Sequence, residues 1–170
     1  MAGQLIQVAT ETVTSAVAEV SFTNIDTDCV YMVAFNNVQP ATDNKDMRVQ
    51  LKNGATTLTP YSKASKDLRT DTTFSNNSSS GATRFDLNAG QSNASAETGQ
   101  GIFYLYNFQN SSEYSFLTYE TAYINFNSSL FGQQGGGVVT QASACDTILF
   151  YWESASNFAT GSQFTLYKVV

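Results

Sequence analysis

The decisive stretch is Met47-Arg48-Val49-Gln50-Leu51-Lys52, in which apolar and polar side chains alternate strictly. Successive side chains on a β-strand point to opposite faces, so this pattern predicts a strand with one buried and one wet face. Asn53-Gly54 follows at once, and this dipeptide tolerates the positive backbone angles of a type I′ turn. The sequence therefore predicts a β-hairpin in which residues 46–52 turn back into residues 55–60.

The same strand signal recurs along the chain. Three continuous apolar runs rich in β-forming residues predict central strands that are covered on both faces: residues 30–35, 102–108 and 148–152. Weaker patterns predict further strands within residues 4–8, 12–22, 114–126 and 164–167. Pro40 and Pro60 fall at the ends of predicted strands, where a missing amide donor does no harm.

Small polar residues dominate the predicted connections, which are residues 74–83, 88–101 and 132–137. Among the connections, only residues 61–68 are compatible with a helical turn or two. About eight strands with no helix to cover a sheet must bury their apolar faces against each other. We therefore predict an all-β chain, an antiparallel β-sandwich of jelly-roll type with long polar loops, formed as one domain over residues 1–170.

The composition indicates a surface of low charge. Charged residues make up 13% of the chain, against roughly 25% in an ordinary soluble protein, whereas Ser, Thr, Asn and Gln exceed a third. Such a surface hydrogen-bonds without Coulomb repulsion between identical copies, which suits close-packed assemblies and equally suits sugar binding. The net charge is -6 and no basic cluster occurs, so we expect no nucleic-acid partner.

Compartment is indicated by three features. No run approaches the roughly 20 apolar residues that span a bilayer, and the start at Met1-Ala2-Gly3-Gln4 lacks the pattern of a secretory signal. We therefore expect neither membrane insertion nor export. Cys29 and Cys145 each lie in an apolar run, as buried free thiols do, and a disulfide between them is the alternative.

Catalytic chemistry is restricted because the chain has no histidine. This excludes Ser-His-Asp and Cys-His catalysis and most zinc sites. A glycosidase built on two carboxylates remains, with six candidate acids: Asp26, Asp28, Glu113, Glu120, Asp146 and Glu153. Fourteen acids give some suitable pair in any fold, so we favour acids at turns and strand ends and predict no enzyme, no catalytic residue and no cofactor.

Two sequence patterns are compatible with ligand binding, and each also has a simpler structural interpretation. Asp26-Thr27-Asp28 places two carboxylates on one side of an extended segment, but the rest of a calcium loop is missing, so we predict a turn and no metal. Exposed tyrosines stack on sugar rings, and Tyr114, Tyr119 and Tyr123 are the candidates for a glycan platform, beside Tyr104, Tyr106 and Trp152. Aromatic residues in predicted strands are more often core, and we favour that interpretation.

Three segments resemble a known group of proteins. They are Ser156-Asn157-Phe158-Ala159-Thr160-Gly161-Ser162-Gln163-Phe164-Thr165-Leu166-Tyr167, then Ser21-Phe22-Thr23-Asn24-Ile25-Asp26-Thr27-Asp28 leading into Val30-Tyr31-Met32, and Ser111-Ser112-Glu113-Tyr114-Ser115-Phe116. Together they resemble small β-rich virion proteins of tailed phages, including phages of marine cyanobacteria and other marine bacteria. Similar C-terminal endings occur in phage tail-fibre domains.

This resemblance implies a non-enzymatic structural protein on the exterior of the virion, as a capsid decoration or a small tail or fibre appendage subunit. Its partners would be other virion proteins and further copies of itself, as a homotrimer or another symmetric oligomer. A phage protein assembles in the reducing host cytoplasm, which agrees with free thiols. The alternative is a carbohydrate-binding module for host adhesion, such as a fibre tip. Tail fibres usually carry an attachment segment before such a domain, whereas a strand is expected here near Gln4, so we expect a stand-alone domain.

Overall fold

The computed structural model describes residues 3–71 and 74–170, and within them thirteen β-strands. The strands are β1 (Leu5–Thr12), β2 (Glu19–Phe22), β3 (Val30–Val38), β4 (Met47–Asn53), β5 (Thr56–Thr57), β6 (Tyr61–Arg69), β7 (Ser75–Ala82), β8 (Phe85–Asp86), β9 (Gly99–Tyr106), β10 (Ser115–Ile124), β11 (Leu130–Val139), β12 (Thr147–Trp152) and β13 (Gln163–Val169). One short 3₁₀ turn follows β12 at Glu153–Ala155.

The strands form two antiparallel sheets that pack face to face. The larger sheet has the order β1-β13-β3-β9-β10-β11-β6-β7, and the smaller has the order β2-β12-β4-β5, with β8 also paired to β4. The orders β1-β13-β3-β9 and β2-β12-β4-β8 are those of a jelly roll, in which the chain alternates between two four-stranded sheets. The predicted antiparallel β-sandwich is confirmed and its strand order agrees with the predicted jelly roll, but the described residues form thirteen strands where about eight were expected. Strands β10, β11, β6 and β7 extend the larger sheet beyond β9.

The hydrophobic core lies between the two sheets as a single cluster. Its centre is Phe150 of β12, whose ring lies 4.7 Å from Phe164 of β13 and 5.7 Å from Phe103 of β9, measured between ring centroids. Trp152 is also completely buried. Each large apolar side chain removed from water stabilises the fold by about 1.5–3 kcal/mol, so these rings hold the two sheets together.

The predicted hairpin forms, but with a different turn. Asn53 pairs with Thr56, so the two central residues are Gly54 and Ala55 rather than Asn53 and Gly54. Gly54 alone of the two has a positive φ, 57°. Glycine at the first central position is the requirement of type II′, so the predicted type I′ turn is wrong. The turn starts one residue later than predicted because Asn53 still pairs across the hairpin as the last residue of β4.

Three segments that were expected to lie outside strands are strands of the larger sheet. Residues 61–68, considered for a helical turn, form most of β6, whereas the predicted loops 74–83 and 132–137 lie largely in β7 and β11. The predicted loop 88–101 is confirmed up to Thr98, and β9 begins at Gly99. The missed strands carry small or polar side chains on their inward side as well as on their solvent side, so no apolar alternation marks them.

Both cysteines are free thiols, and the alternative of a disulfide is wrong. Cys145 is completely buried, as expected. Cys29 packs against the core but is only half-buried.

Candidate interaction surface

Four of the six candidate acids form local polar contacts. Glu153 pairs with Arg48 at 2.7 Å, and Asp146 accepts hydrogen bonds from the Gly54 amide at 3.1 Å and the Thr147 hydroxyl at 2.8 Å. Asp26 accepts from the Thr27 hydroxyl, and Glu120 accepts from Gln134. The other two, Asp28 and Glu113, are exposed outside the strands. Glu120 lies in the middle of β10, so the expectation that these acids occupy turns and strand ends is wrong for it and confirmed for the other five.

One of these acids shares a depression with a second carboxylate. Asp26, Glu11 and Lys168 line a space of about 180 Å³ between the two sheets. Ligand pockets are usually about 300–1,000 Å³, so this space is small for a sugar chain. The Lys168 ammonium also donates to the Thr27 hydroxyl at 2.7 Å, next to Asp26. The Lys168 ammonium thus lies beside the Asp26-Thr27-Asp28 segment, where its charge disfavours the binding of a cation. Within residues 3–71 and 74–170, no three acids, cysteines or histidines converge as a metal site would require.

The structure separates the three tyrosines that were candidates for a glycan platform. Tyr119 and Tyr123 lie on the inner face of β10 and are 3% and 2% exposed, whereas Tyr114 precedes the strand and is 46% exposed. Tyr123 donates from its hydroxyl to the Ala89 carbonyl, and burial raises the pKa of Tyr119 to about 12. A sugar cannot reach the two buried rings, so the three tyrosines do not form one platform, and the burial of Tyr119 and Tyr123 agrees with the favoured interpretation as core. Trp152 is core as well, which agrees with the favoured interpretation.

Other aromatic residues point outwards instead. We define the outer face as the solvent side of β9, β10, β11, β6 and β7. Tyr104 and Tyr106 lie on it half-buried, and Phe116 is 46% exposed. Sequence position along β10 could have shown which aromatic residues point outwards, because successive side chains lie on opposite sides of a strand. Leu117, Tyr119 and Tyr123 share one side, and Phe116, Thr118 and Glu120 share the other.

Strand register aligns the outer face in rows that cross β10, β11 and β6. In order along the strands, the rows are Phe116–Val138–Ser62, Thr118–Gly136–Ala64, Glu120–Gln134–Lys66 and Ala122–Gly132–Leu68. Two of the four positions on the central strand β11 are glycines, so the face is hollow along its middle.

Charge is sparse and balanced on this face. Of the outward positions that the structure describes on these five strands, Glu120 and Lys66 are the charged ones, and they lie in the same row on either side of Gln134. Gln134 donates to the Glu120 carboxylate at 2.5 Å, and the Lys66 ammonium donates to Asn76 at 3.1 Å. The face is therefore neutral as a whole.

Three shallow depressions lie along β11. One of about 460 Å³ is lined by Ser62, Ala64, Phe116, Thr118, Gly136 and Val138, among others. A second, of about 370 Å³, is lined by residues that include Leu68, Ala122, Leu130 and Gly132. The third, of about 360 Å³, lies beside Tyr104, Thr118, Glu120 and Gln134. The first two are apolar and the third has polar groups at its edge.

The opposite side of the sandwich differs in its electrostatics. There Arg48 lies between Asp86 at 3.1 Å and Glu153 at 2.7 Å, and Arg84 also pairs with Asp86 at 3.1 Å. These charges are held by partners within the chain. Compared with that side, the outer face carries little charge.

Comparisons with protein-family models, with curated proteins and with solved structures find no match to this chain. In the part of the chain that the structure describes, no helix has the length and apolar character needed to cross a membrane.

Proposed function

We propose that this chain is a non-enzymatic structural subunit on the exterior of a tailed-phage particle, as a capsid decoration or a small tail or fibre appendage subunit. The observation that carries the proposal is the outer face, a surface of hydroxyl, amide and apolar groups with one carboxylate and one ammonium. Identical copies can approach through such a surface without Coulomb repulsion. The resemblance of the three sequence segments to virion proteins supports the location.

The proposed partners are other virion proteins and further copies of this chain. Assembly in the reducing host cytoplasm is supported by the two free thiols, because disulfides persist mainly in oxidising compartments. The role requires no catalytic group.

Quantitative mass spectrometry of purified particles tests this function. We expect the chain at a fixed number of copies per particle, unchanged by a further purification step, and localised density for it on the particle surface by electron microscopy. An abundant host cytoplasmic protein serves as the control, because its amount should fall with each step. Absence of the chain from purified particles would refute the proposal.

A second candidate function is carbohydrate binding in host adhesion. The observation that favours it is the third depression, where the half-buried ring of Tyr104 lies beside Thr118, Glu120 and Gln134. An aromatic ring next to amide, hydroxyl and carboxylate groups is the chemistry that recognises a sugar.

A glycan array tests this second function. If a ligand is found, Tyr104→Ala should weaken its binding at least about tenfold, whereas Tyr114→Ala, an exposed tyrosine outside the strands, should leave it unchanged. An array without any bound glycan, or equal loss in the two variants, counts against adhesion through this face.

A further inference from the structure

We propose that the outer face is the contact surface for a second copy of this chain, related to the first by a twofold axis that runs along β11. In a twofold contact the same patch serves both copies, so the patch must be complementary to itself. The pairing stands on the side chains of this face and does not require the location proposed above.

Charge selects the direction of the axis. A half-turn about β11 exchanges its two neighbours, β10 and β6. Glu120 of one copy then lies opposite Lys66 of the second copy, and the same pair forms again on the other side of the axis. An axis across the strands, along this row, would instead place Glu120 on Glu120 and Lys66 on Lys66. Opposite charges thus favour the axis along β11 and set the orientation of the two copies.

The sizes of the side chains agree with the same axis. Phe116 on β10 lies level with Ser62 on β6, and Leu68 on β6 lies level with Ala122 on β10. The half-turn therefore places a large side chain over a small one at both levels, in each direction. The depression beside Ser62 and that beside Ala122 are the two apolar ones on this face.

Groups on the axis meet their own copies. Gln134 lies at the centre of the row between the charges, and its amide can donate to and accept from the same amide of the second copy. Gly136 on one side of it is partly exposed and carries no side chain, which leaves room for the approach of the two sheets.

The size of the face is sufficient for a specific contact. Five strands, each ~4.8 Å wide and about 26 Å long, cover roughly 600 Å² on each copy. The total of about 1,200 Å² matches the lower end of specific protein interfaces. Because Glu120 and Lys66 cancel, the net charge of -6 is carried outside the contact, where solvent screens it.

Analytical ultracentrifugation of the purified chain over a range of concentrations tests the proposal. We expect a dimer of twice 18.4 kDa. Phe116→Ser should weaken the dimer at least about tenfold, because it removes the aromatic ring that packs over Ser62 of the second copy. Phe126→Ser is the matched control, since Phe126 is equally exposed at 46% but lies in the turn after β10 beside Gly90. Its dissociation constant should match that of the unaltered protein.

Charge exchange tests the axis. Glu120→Lys and Lys66→Glu should each weaken the dimer at least about tenfold at low salt, because each creates two like-charge pairs. The double variant Glu120→Lys with Lys66→Glu should restore the dimer, since opposite charges meet again. Circular dichroism of each variant confirms folding. If Phe116→Ser fails to fold, the exposed charge variants decide alone.

Several outcomes would overturn the proposal. A protein that remains monomeric at all concentrations up to ~1 mM would overturn it, because the free energy of association would then be weaker than about 4 kcal/mol. So would a dimer insensitive to Phe116→Ser, or one that the double charge variant does not restore. A trimer would favour the homotrimer implied by the resemblance over the twofold pair. A glycan that binds to this face of a monomeric protein would assign the surface to adhesion instead.

Discussion

At the scale of single residues, the two cysteines differ in their surroundings. Cys145 is completely buried, and burial raises the pKa of its thiol to about 11, whereas Cys29 is half-buried. The thiolate is the species that attacks a disulfide reagent, so burial protects Cys145 twice, by access and by protonation.

We therefore expect one thiol per chain to react promptly with an aromatic disulfide reagent at pH 8. The second should react only as fast as the protein unfolds. Absorbance of the released thiolate measures both phases, and Cys29→Ser should remove the prompt one. Two promptly reacting thiols would contradict the burial of Cys145.

Asp46 is an acid whose ionisation should make the free energy of unfolding depend on pH. Burial raises the pKa of its carboxyl above the ordinary range near about 4, although the Gly90 amide donates to it at 2.7 Å. When the folded pKa exceeds the unfolded one, ionisation disfavours the folded state. The loss of stability that ionised Asp46 causes is complete at pH values above its folded pKa. It disappears as the pH falls from the folded pKa to the unfolded pKa, because the carboxyl becomes protonated in both states.

Asp46→Asn should consequently be more stable than the unaltered protein at neutral pH, because the amide oxygen still accepts from Gly90 without carrying charge. The difference in free energy of unfolding should shrink towards zero as the pH falls below about 4. Urea unfolding at several pH values measures this difference. A constant difference across that range would assign the effect to packing rather than to ionisation.

At the scale of elements, β11 depends on its glycines. An added Cβ at Gly137 would lie 2.7 Å from the Ser62 carbonyl oxygen and would overlap the ring of Phe85. The neighbouring Gly136 points outwards, where the nearest atom to an added Cβ is the Leu117 carbonyl oxygen at 3.0 Å. Inner and outer positions of the same strand therefore differ in the room they leave.

Gly137→Ala should lower the free energy of unfolding by about 2–3 kcal/mol, as overpacking of a filled core does. Gly136→Ala should change it by less than about 1 kcal/mol. Chemical denaturation of both variants at low protein concentration gives the comparison. Equal losses of unfolding free energy in the two variants would mean that backbone pairing of β11 with its neighbours, and not the contact with Phe85, excludes a side chain at these positions.

At the scale of the whole molecule, the two sheets share a single core. One buried cluster joins the jelly-roll strands to the extension, since it includes Tyr61 of β6, Tyr119 of β10 and Phe150 of β12. Tyr123 and Phe131 of the extension are also buried but lie outside this cluster. A domain with one core unfolds as one unit, so no part should melt separately.

The single tryptophan reports on this cooperativity. Trp152 is completely buried in the smaller sheet, whereas far-UV circular dichroism is dominated by the larger sheet. We expect thermal unfolding curves from tryptophan fluorescence and from circular dichroism to share one midpoint. Two separate midpoints would contradict a single domain over residues 1–170 and would indicate that the extension unfolds independently.

Much of the fold could be predicted where a strand has an apolar face. The strand at Met47–Lys52 follows from period-two patterning, and the strands at 30–35 and 148–152 follow from continuous apolar runs rich in β-forming residues. The buried polar chain in which Asn88 donates to Gln91 and Gln91 donates to the Val38 carbonyl leaves no such pattern. The sequence correctly predicts Asn88 and Gln91 as loop residues, but it does not predict their burial, because amides are frequent in loops and rare in cores.

Period-two alternation by itself determined that this chain forms a two-layer β-sandwich, because pleated strands can bury their apolar sides only against each other. Only the tertiary structure decided which tyrosines are buried and which side chains share the outer face. Alternation divides each strand into two sides, but the register between strands depends on backbone hydrogen bonds across long loops. Those bonds place Lys66 level with Glu120, although the two are far apart in the sequence.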